Sequence, residues 1–438
     1  MVKHTCPTCE KDFAQKSHFI RHQQRKTPCK KDVKVEEKVR SIVTSLTSDL
    51  RFIDLFCGIG GFHQALNRLG GSCVLACDID AKCRDMYQKN YGITPHDDIT
   101  TLDAEKIPDF DILCAGFPCQ PFSNGGNKKS FDDKRGRLFD EIIRIATTKK
   151  PRFMFLENVK HIKKISDGAV FKYILEELAK ADYEVYVAEI SPHQLAIPQQ
   201  RERVIFTCVR KDVYDPKNNI SVDLPDSVEC DFHRILEKSP DAKYRISDNT
   251  NRVLEVWDDM IQRVDVGETL SPVILCKEFN TKYTPEEFNA LPAWKKEYMT
   301  KNVRIYEKYK DQWNEWFARN RDILTASEVN SKLEWQAGKK VENDSIFNHF
   351  IQLRQSGIRV KKTKYFPTLV AIVQIPIYGK ERRYLTPREC ARLQSFPDSL
   401  ILHHDDKTAY KQLGNAVNVD VVFYVMNKVL TSYGVVNS

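Results

Sequence analysis

The chain has 438 residues, which is too many for one compact core, so two or three domains are expected. It is 41% hydrophobic and 29% charged, and no run approaches the roughly 18 apolar residues of a membrane span, so we expect an intracellular, cytoplasmic globular protein with no membrane partner. The net charge is +8, and residues 1–40 carry most of it, with eleven Lys or Arg against five Asp or Glu. A polyanion would bind there, although a solvated tail has the same composition.

The first predicted element is a zinc module over residues 1–30. Its four predicted zinc ligands follow the spacing C-x2-C-x12-H-x6-C and are Cys6, Cys9, His22 and Cys29. His18 is a weaker candidate, because choosing it breaks the x12 spacing and leaves Cys29 over. The pattern resembles a classical zinc finger in which the last histidine is replaced by cysteine after a longer spacer. A piece this short needs the metal to fold.

A charged linker, residues 31–50, precedes a regular pattern over residues 51–210. Short apolar runs alternate there with amphipathic stretches: RFIDLF, CVLACD, DILCAG, RFMFLEN, YEVYVAEI and RVIFTCV. This repetition predicts an open, mostly parallel α/β sheet.

Residues 211–370 lose this rhythm and predict a smaller, irregular α+β domain. A regular sequence pattern returns in the C-terminal segment, residues 371–438, where Thr386 can cap a helix that starts with Pro387. A strongly apolar helix over about 418–430 is predicted to pack back onto the first sheet.

A glycine-rich turn follows the first predicted strand, in DLFCGIGGF, residues 54–62. Such a turn lets a ligand approach the backbone and the next helix N-terminus. Asp78 closes the second strand, where it can bind ribose hydroxyls, and Asp98 ends the next short apolar stretch. An NAD site is an alternative, but the G-x-G-x-x-G pattern is absent, and structural turn glycines would look similar.

Three further groups follow or adjoin predicted strands at one edge of the sheet. They are Cys119 in GFPCQPFS, Glu157 in LENV, and the run QQRER at residues 199–203. A thiolate attacks conjugated carbon centres well, and a carboxyl group at the end of a buried strand is costly unless it binds something. A packed thiol, a helix cap and a surface ion-pair network are the alternatives for the three groups taken singly.

Six motifs in order carry a family resemblance: DLFCGIGGF, GFPCQPFS, ENV, QQRER, RYLTPRECARLQSFP and QLGNAV. The chain resembles the DNA cytosine-5 methyltransferases, especially those of bacterial restriction-modification systems, over about residues 51–210 and 370–432. The resemblance implies a Rossmann-like S-adenosylmethionine-dependent sheet, with residues 211–370 as the target-recognition domain.

The resemblance also implies a mechanism, in which a cysteine adds to carbon 6 of a flipped cytosine and carbon 5 takes the methyl group. The catalytic residues it assigns are Cys119, Glu157, Arg201 and Arg203, with Arg201 fixing the carbonyl oxygen of the base and Arg203 behind it. The residues it assigns to S-adenosylmethionine are Phe56, Gly58, Gly60, Asp78, Ile79, Asp98, Ile99, Pro118, Leu138, Asn415 and Ala416.

The expected partners are double-stranded DNA and a cognate restriction endonuclease, with the protein itself monomeric and associated with the nucleoid through DNA. A loop over residues 123–137 is expected to close over the extruded nucleotide. Two alternatives are methylation of tRNA cytosine and a DNA-binding regulator that retains a vestigial methyltransferase domain.

Overall fold

The computed structural model describes residues 4–6, 12–13, 15–23, 50–118, 137–218, 222, 224, 228–270, 274–275, 283–362, 364–370 and 374–437. Near the N-terminus, an antiparallel pair, His4–Thr5 (β1) and Asp12–Phe13 (β2), is followed by helix Lys16–Gln23 (α1). The predicted linker lies outside the described residues except for Leu50.

A six-stranded sheet forms the first large unit. Its strands are Arg51–Leu55 (β3), Ser72–Cys77 (β4), Ile112–Gly116 (β5), Phe153–Val159 (β6), Tyr183–Ile190 (β7) and Arg203–Arg210 (β8). The order is β4-β3-β5-β6-β8-β7, and β8 alone of the six runs against the others. The prediction of a mostly parallel sheet is therefore confirmed.

Both faces of this sheet are buried. Its helices are Gly61–Arg68 (α2), Ala81–Tyr91 (α3), Arg137–Lys149 (α4) and Ala169–Lys180 (α5). Side chains alternate along each strand, so Phe153 and Phe155 of β6 enter one core while Met154 and Leu156 enter the other. Near-continuous apolar strands are typical of a sheet covered on both sides.

The second unit is a mixed α+β domain, as predicted. Its helices are Asp248–Gln262 (α6), Pro285–Ala290 (α7), Ala293–Lys308 (α8) and Lys310–Thr325 (α9). Its strands are Ile274–Leu275 (β9), Lys332–Gln336 (β10), Phe350–Arg354 (β11), Gly357–Lys361 (β12), Ile377–Tyr378 (β13) and Arg383–Tyr384 (β14). They pair in the order β14-β13-β11-β12-β10-β9, so the sheet extends beyond the predicted boundary at residue 370.

The C-terminal segment returns to the first sheet. It forms helices Pro387–Leu393 (α10), Asp406–Asn415 (α11) and Val419–Ser432 (α12). Thr386 caps α10 and Pro387 opens it, as predicted. The predicted last helix is α12, which packs in one core with α2, and Arg68 pairs with Asp420 at 2.6 Å. Across the described ranges, no helix is both long enough and apolar enough to cross a membrane.

Candidate active site

Glu157 lies at the edge where β5 and β6 end. It pairs in register with Gly116, and an ideal Cβ at Gly116 would be 4.0 Å from Glu157 Oε2. Because β8 is antiparallel, its first residue, Arg203, lies at this same edge opposite Val159. Arg203 Nε lies 2.7 Å from Glu157 Oε1, and only about an eighth of each side chain is exposed. A nearly buried carboxyl group thus has a charged partner.

Asn158, the next residue of β6, fixes the chain that leads to Cys119. Its Nδ2 donates to the Phe117 carbonyl oxygen at 3.0 Å, and its Oδ1 accepts from the Val159 amide at 2.9 Å. Cys119 itself lies outside the described residues, as does the predicted closing loop up to residue 136. This described stretch ends at Pro118, one residue before the predicted nucleophile and two residues after Gly116, which pairs with Glu157.

Arg201 has a different place from the one expected. It is buried, and its guanidinium donates to the carbonyl oxygens of Leu369 at 2.7 Å and of Gly414 and Ala416 at 3.0 Å. Burial, reinforced by the Arg203 charge, lowers the pKa of Arg201 well below its usual value. Arg203, not Arg201, is the arginine that contacts Glu157, and Arg201 ties two distant segments of the chain to the strand edge.

The glycine turn after β3 has the backbone that its sequence predicts. Phe56, Gly58 and Gly60 have φ angles of 55°, 54° and 86°, all in the left-handed region. No atom lies within 4 Å of an ideal Cβ at Gly58, so that position faces open space. The turn ends where α2 begins, so helix amide groups are directed at the same space.

Asp78 connects this turn to the end of β4. Its Oδ2 accepts from the Gly58 amide and its Oδ1 from the Asp80 amide, both at 2.8 Å. Burial raises the pKa of Asp78. Ile79, the next residue, is 79% exposed, and Arg84 Nη1 donates to the carbonyl oxygens of Asp78 and Ile79 at 3.0 and 2.9 Å. An exposed, apolar side chain beside a held carboxylate suits a ligand that combines a ribose with a flat ring.

Asp98 and Ile99 lie at the start of a short 3-10 turn, Ile99–Thr101. The Asp98 side chain accepts from the Thr100 amide at 2.9 Å and from its hydroxyl at 2.8 Å, and these bonds lower the pKa of Asp98. The Ile99 side chain is buried in the apolar core, so the structure does not bring it to the surface where Ile79 lies. A contact of residue 99 with a ligand would have to use its backbone.

The remaining predicted pocket residues come from three separate segments. Pro118 and Asn415 are exposed, Leu138 is half-buried and Ala416 is buried. Sequence reasoning missed Val417, which follows them. An ideal Cβ at Gly61 would be 2.5 Å from the Val417 carbonyl oxygen, and one at Gly116 would be 3.0 Å from its Cγ2. The C-terminal segment therefore lies against both the glycine turn and the end of β5, leaving no room for a side chain at Gly61 and little at Gly116.

Two of the four predicted zinc ligands can be placed. Cys6 and His22 are buried, whereas Cys9 and Cys29 lie outside the described residues. His18, the weaker candidate, is exposed on α1. No group of three or more metal-binding side chains occurs within the described part of the chain, which contains only two of the four predicted ligands. The zinc module stays a prediction.

Comparisons with known proteins identify the family. The model of the C-5 cytosine-specific DNA methylases matches residues 50–431. The chain belongs to this family. It is 31% identical to the type II methyltransferase M.HhaI of Haemophilus parahaemolyticus over 86% of this chain and 93% of that protein. It is 33% identical to M.NlaX of Neisseria lactamica over 85% of this chain and 93% of that protein.

The fold of this cytosine-5 methylase also matches solved structures. The Entamoeba histolytica methyltransferase EhMeth superposes with a TM-score of 0.52 at 19% identity, over 88% of this chain and 99% of that one. The match to the family model, over residues 50–431, includes the second domain and most of the C-terminal segment, which the sequence motifs alone covered only in part.

The second domain of the methylase is attached directly to the QQRER motif. The Thr368 hydroxyl donates to the Gln200 carbonyl oxygen at 2.6 Å, and Lys361 Nζ donates to Gln200 Oε1 at 2.8 Å. Lys361 belongs to a basic run in the sequence, RVKKTK at residues 359–364. The end of β12 therefore brings positive charge next to the active-site edge.

Proposed function

We propose that this methylase transfers a methyl group from S-adenosylmethionine to carbon 5 of a flipped-out cytosine in a specific sequence of double-stranded DNA. The observation that carries the proposal is the Arg203-held Glu157 carboxylate, which shares one sheet edge with the chain leading into Cys119. The open turn at Gly58 lies at the carboxyl end of β3, two strands away from β6 in the same sheet.

Cytosine carbon 5 needs activation before it can accept a methyl group. In the proposed reaction, the Cys119 thiolate bonds to carbon 6, which makes carbon 5 electron-rich. Glu157, as the carboxylic acid, donates to ring nitrogen 3 and transfers its proton there as negative charge develops on the ring. Arg203 holds that carboxyl group and replaces Arg201 as the residue facing the base. Once carbon 5 carries the methyl group, loss of its proton expels the thiolate, and the proton on nitrogen 3 returns to Glu157.

The residues of the glycine turn fit S-adenosylmethionine, which supplies a sulfonium methyl group when it is bound. Asp78 would accept the ribose hydroxyls through the lone pairs that its two backbone bonds leave free. Ile79 would stack on the adenine ring, and Asp98 would bind at its edge. The amide groups at the start of α2 would bind the carboxylate of the amino acid portion.

The target base cannot be attacked inside a stacked duplex, so we infer that it is extruded, at a cost of a few kcal/mol. The basic end of β12, with Lys361 beside Gln200, would contact phosphates next to the extruded nucleotide. Protection of a host genome from a cognate endonuclease is the physiological role that this activity best fits.

The test is methyl transfer from labelled S-adenosylmethionine to duplex DNA, with transfer RNA as a second substrate. Cys119→Ala is expected to abolish transfer while DNA binding is retained. Cys114→Ala is the matched control, because that thiol is fully buried inside β5 and burial raises its pKa. Full activity of Cys119→Ala, or transfer to RNA alone, would contradict the proposal.

We also infer that residues 1–30 bind zinc and add affinity for DNA. The support is the strand pair followed by a helix, with Cys6 and His22 both buried in a unit too small for its own core. Purified protein is expected to contain zinc, and Cys6→Ser is expected to lose it, whereas His18→Ala retains it. Loss of zinc should weaken DNA binding and flatten its salt dependence without stopping turnover on a short duplex. Zinc-free wild-type protein would contradict this inference.

A further inference from the structure

A largely buried aromatic group packs against the glycine turn. It consists of Tyr87 and Tyr91 on α3 and His63 on α2. The rings of His63 and Tyr91 are stacked with their centroids 3.9 Å apart, and the two tyrosine rings meet edge to face at 4.7 Å. His63 lies just outside the first motif of the family resemblance, and no motif includes α3, so the resemblance assigns no role to any of these three residues.

Tyr91 contacts the backbone of the turn itself. Its hydroxyl donates to the Ile59 carbonyl oxygen at 2.9 Å and lies 3.3 Å from that of Gly60. Its ring occupies the volume where a side chain at residue 60 would begin, since an ideal Cβ there would be 2.6 Å from Tyr91 Cζ and Oη. Gln64 Nε2 lies 3.3 Å from the same hydroxyl and can donate to it. The Tyr91 hydroxyl thus has partners on both the turn and α2.

A second set of contacts holds Tyr91 in this place. His63 Nδ1 and the Tyr87 hydroxyl are 2.7 Å apart, and that hydroxyl donates to Asp54 Oδ2 at 3.3 Å. When Tyr87 donates to Asp54, the proton between His63 and Tyr87 must be on Nδ1. Burial lowers the pKa of His63 to about 4, so the ring is neutral at pH 7 and can stack on Tyr91 without a buried charge.

These contacts have a consequence on the ligand side of the turn. A trans peptide unit directs its carbonyl and its amide in opposite directions. When the Gly60 carbonyl is directed at Tyr91, the Gly61 amide at the start of α2 is directed away from Tyr91, out of the aromatic group. The Gly60 carbonyl also accepts the first backbone bond of α2, from the Gln64 amide at 3.0 Å, so Tyr91 and the helix together orient an amide that would bind an anionic part of the cofactor.

We propose that Tyr91 is a positioning residue that sets the affinity for S-adenosylmethionine, with His63 and Tyr87 holding it in place. The inference rests on the proposed function, because it concerns the same cofactor. Tyr91 contacts neither the cofactor nor the base in this account. Its loss should thus weaken cofactor binding while the rate at saturating cofactor is retained.

The test uses the full-length protein with S-adenosylhomocysteine in calorimetry and S-adenosylmethionine in kinetics. Tyr91→Phe, which removes one hydroxyl, is expected to raise the dissociation constant and KM for the cofactor about three- to tenfold, with kcat and DNA affinity within about twofold of wild type. Tyr87→Phe, one contact further away, is expected to have a smaller effect in the same direction.

Tyr183→Phe is the matched control. That tyrosine is also buried in the first sheet, and its hydroxyl donates to the Pro151 carbonyl oxygen at 2.8 Å, away from the turn. It should lose stability as Tyr91→Phe does but retain cofactor affinity. Equal cofactor affinity of Tyr91→Phe and Tyr183→Phe, or a loss of kcat with unchanged KM, would overturn the inference. A wild-type protein that binds neither cofactor form would instead overturn the proposed function.

Discussion

Gly60→Ala is expected to damage the cofactor turn far more than an ordinary glycine substitution does. Gly60 has a φ of 86°, and a left-handed conformation costs a non-glycine residue about 1–2 kcal/mol. The added Cβ would also be 2.6 Å from Tyr91 Cζ and Oη, and such overpacking costs about 1–3 kcal/mol. If the ring moves, its hydrogen bond to Ile59 is lost, at about 1 kcal/mol. The total is about 3–6 kcal/mol.

Gly70→Ala separates the two causes. Gly70 has a φ of 79°, but no atom lies within 4 Å of an ideal Cβ there, so the substitution pays only for the backbone conformation. Urea unfolding followed by circular dichroism, together with calorimetry of S-adenosylhomocysteine binding, would compare the two variants. Gly60→Ala should be less stable by about 2–4 kcal/mol and should lose cofactor affinity. Equal stability and affinity of the two variants would refute the reasoning about Tyr91.

Three further predictions follow from the site. Arg203→Met removes the charged partner of the nearly buried Glu157, so kcat in a methylation assay should fall about 100-fold or more. Arg152→Met is the control: it breaks the ion pair with Asp111 at 2.9 Å and should leave kcat unchanged. Asp78→Asn should weaken cofactor binding in calorimetry without changing DNA affinity in a gel-shift assay, because Asp78 holds the Gly58 amide. Burial lowers the pKa of His63 from 6.5 to about 4, so as the pH falls the unfolded chain takes up this proton before the folded protein does. The free energy of unfolding should therefore keep its full value above about pH 6.5 and fall by about 3 kcal/mol towards pH 4. In urea titrations at several pH values, His63→Gln should reduce this dependence on pH.

The features that the sequence predicted best are local ones. The turn after β3 needs glycines with positive φ within a few residues, and Thr386 caps α10 through Glu389, three positions later. The short apolar runs that predict strands are likewise a property of neighbouring residues, which is why all six strands of the first sheet were predicted.

The features that it missed depend on contacts between distant parts of the chain. Arg201 and Arg203 stand two residues apart in one motif, and only the antiparallel direction of β8 and the return of Gly414 and Ala416 decide which of them contacts Glu157. Val417, from the far end of the chain, limits the space for a side chain at Gly61 and Gly116. No local pattern encodes either relation.

Covalent trapping is the measurement that bears most directly on the account. Duplex DNA carrying 5-fluorocytosine at the methylated position would be incubated with the protein and S-adenosylmethionine, and the product analysed by denaturing electrophoresis and peptide mass spectrometry. The account predicts a stable protein–DNA adduct on the peptide that contains Cys119, and none with Cys119→Ala. Methylation of unmodified DNA without any adduct, or an adduct on another residue, would contradict it.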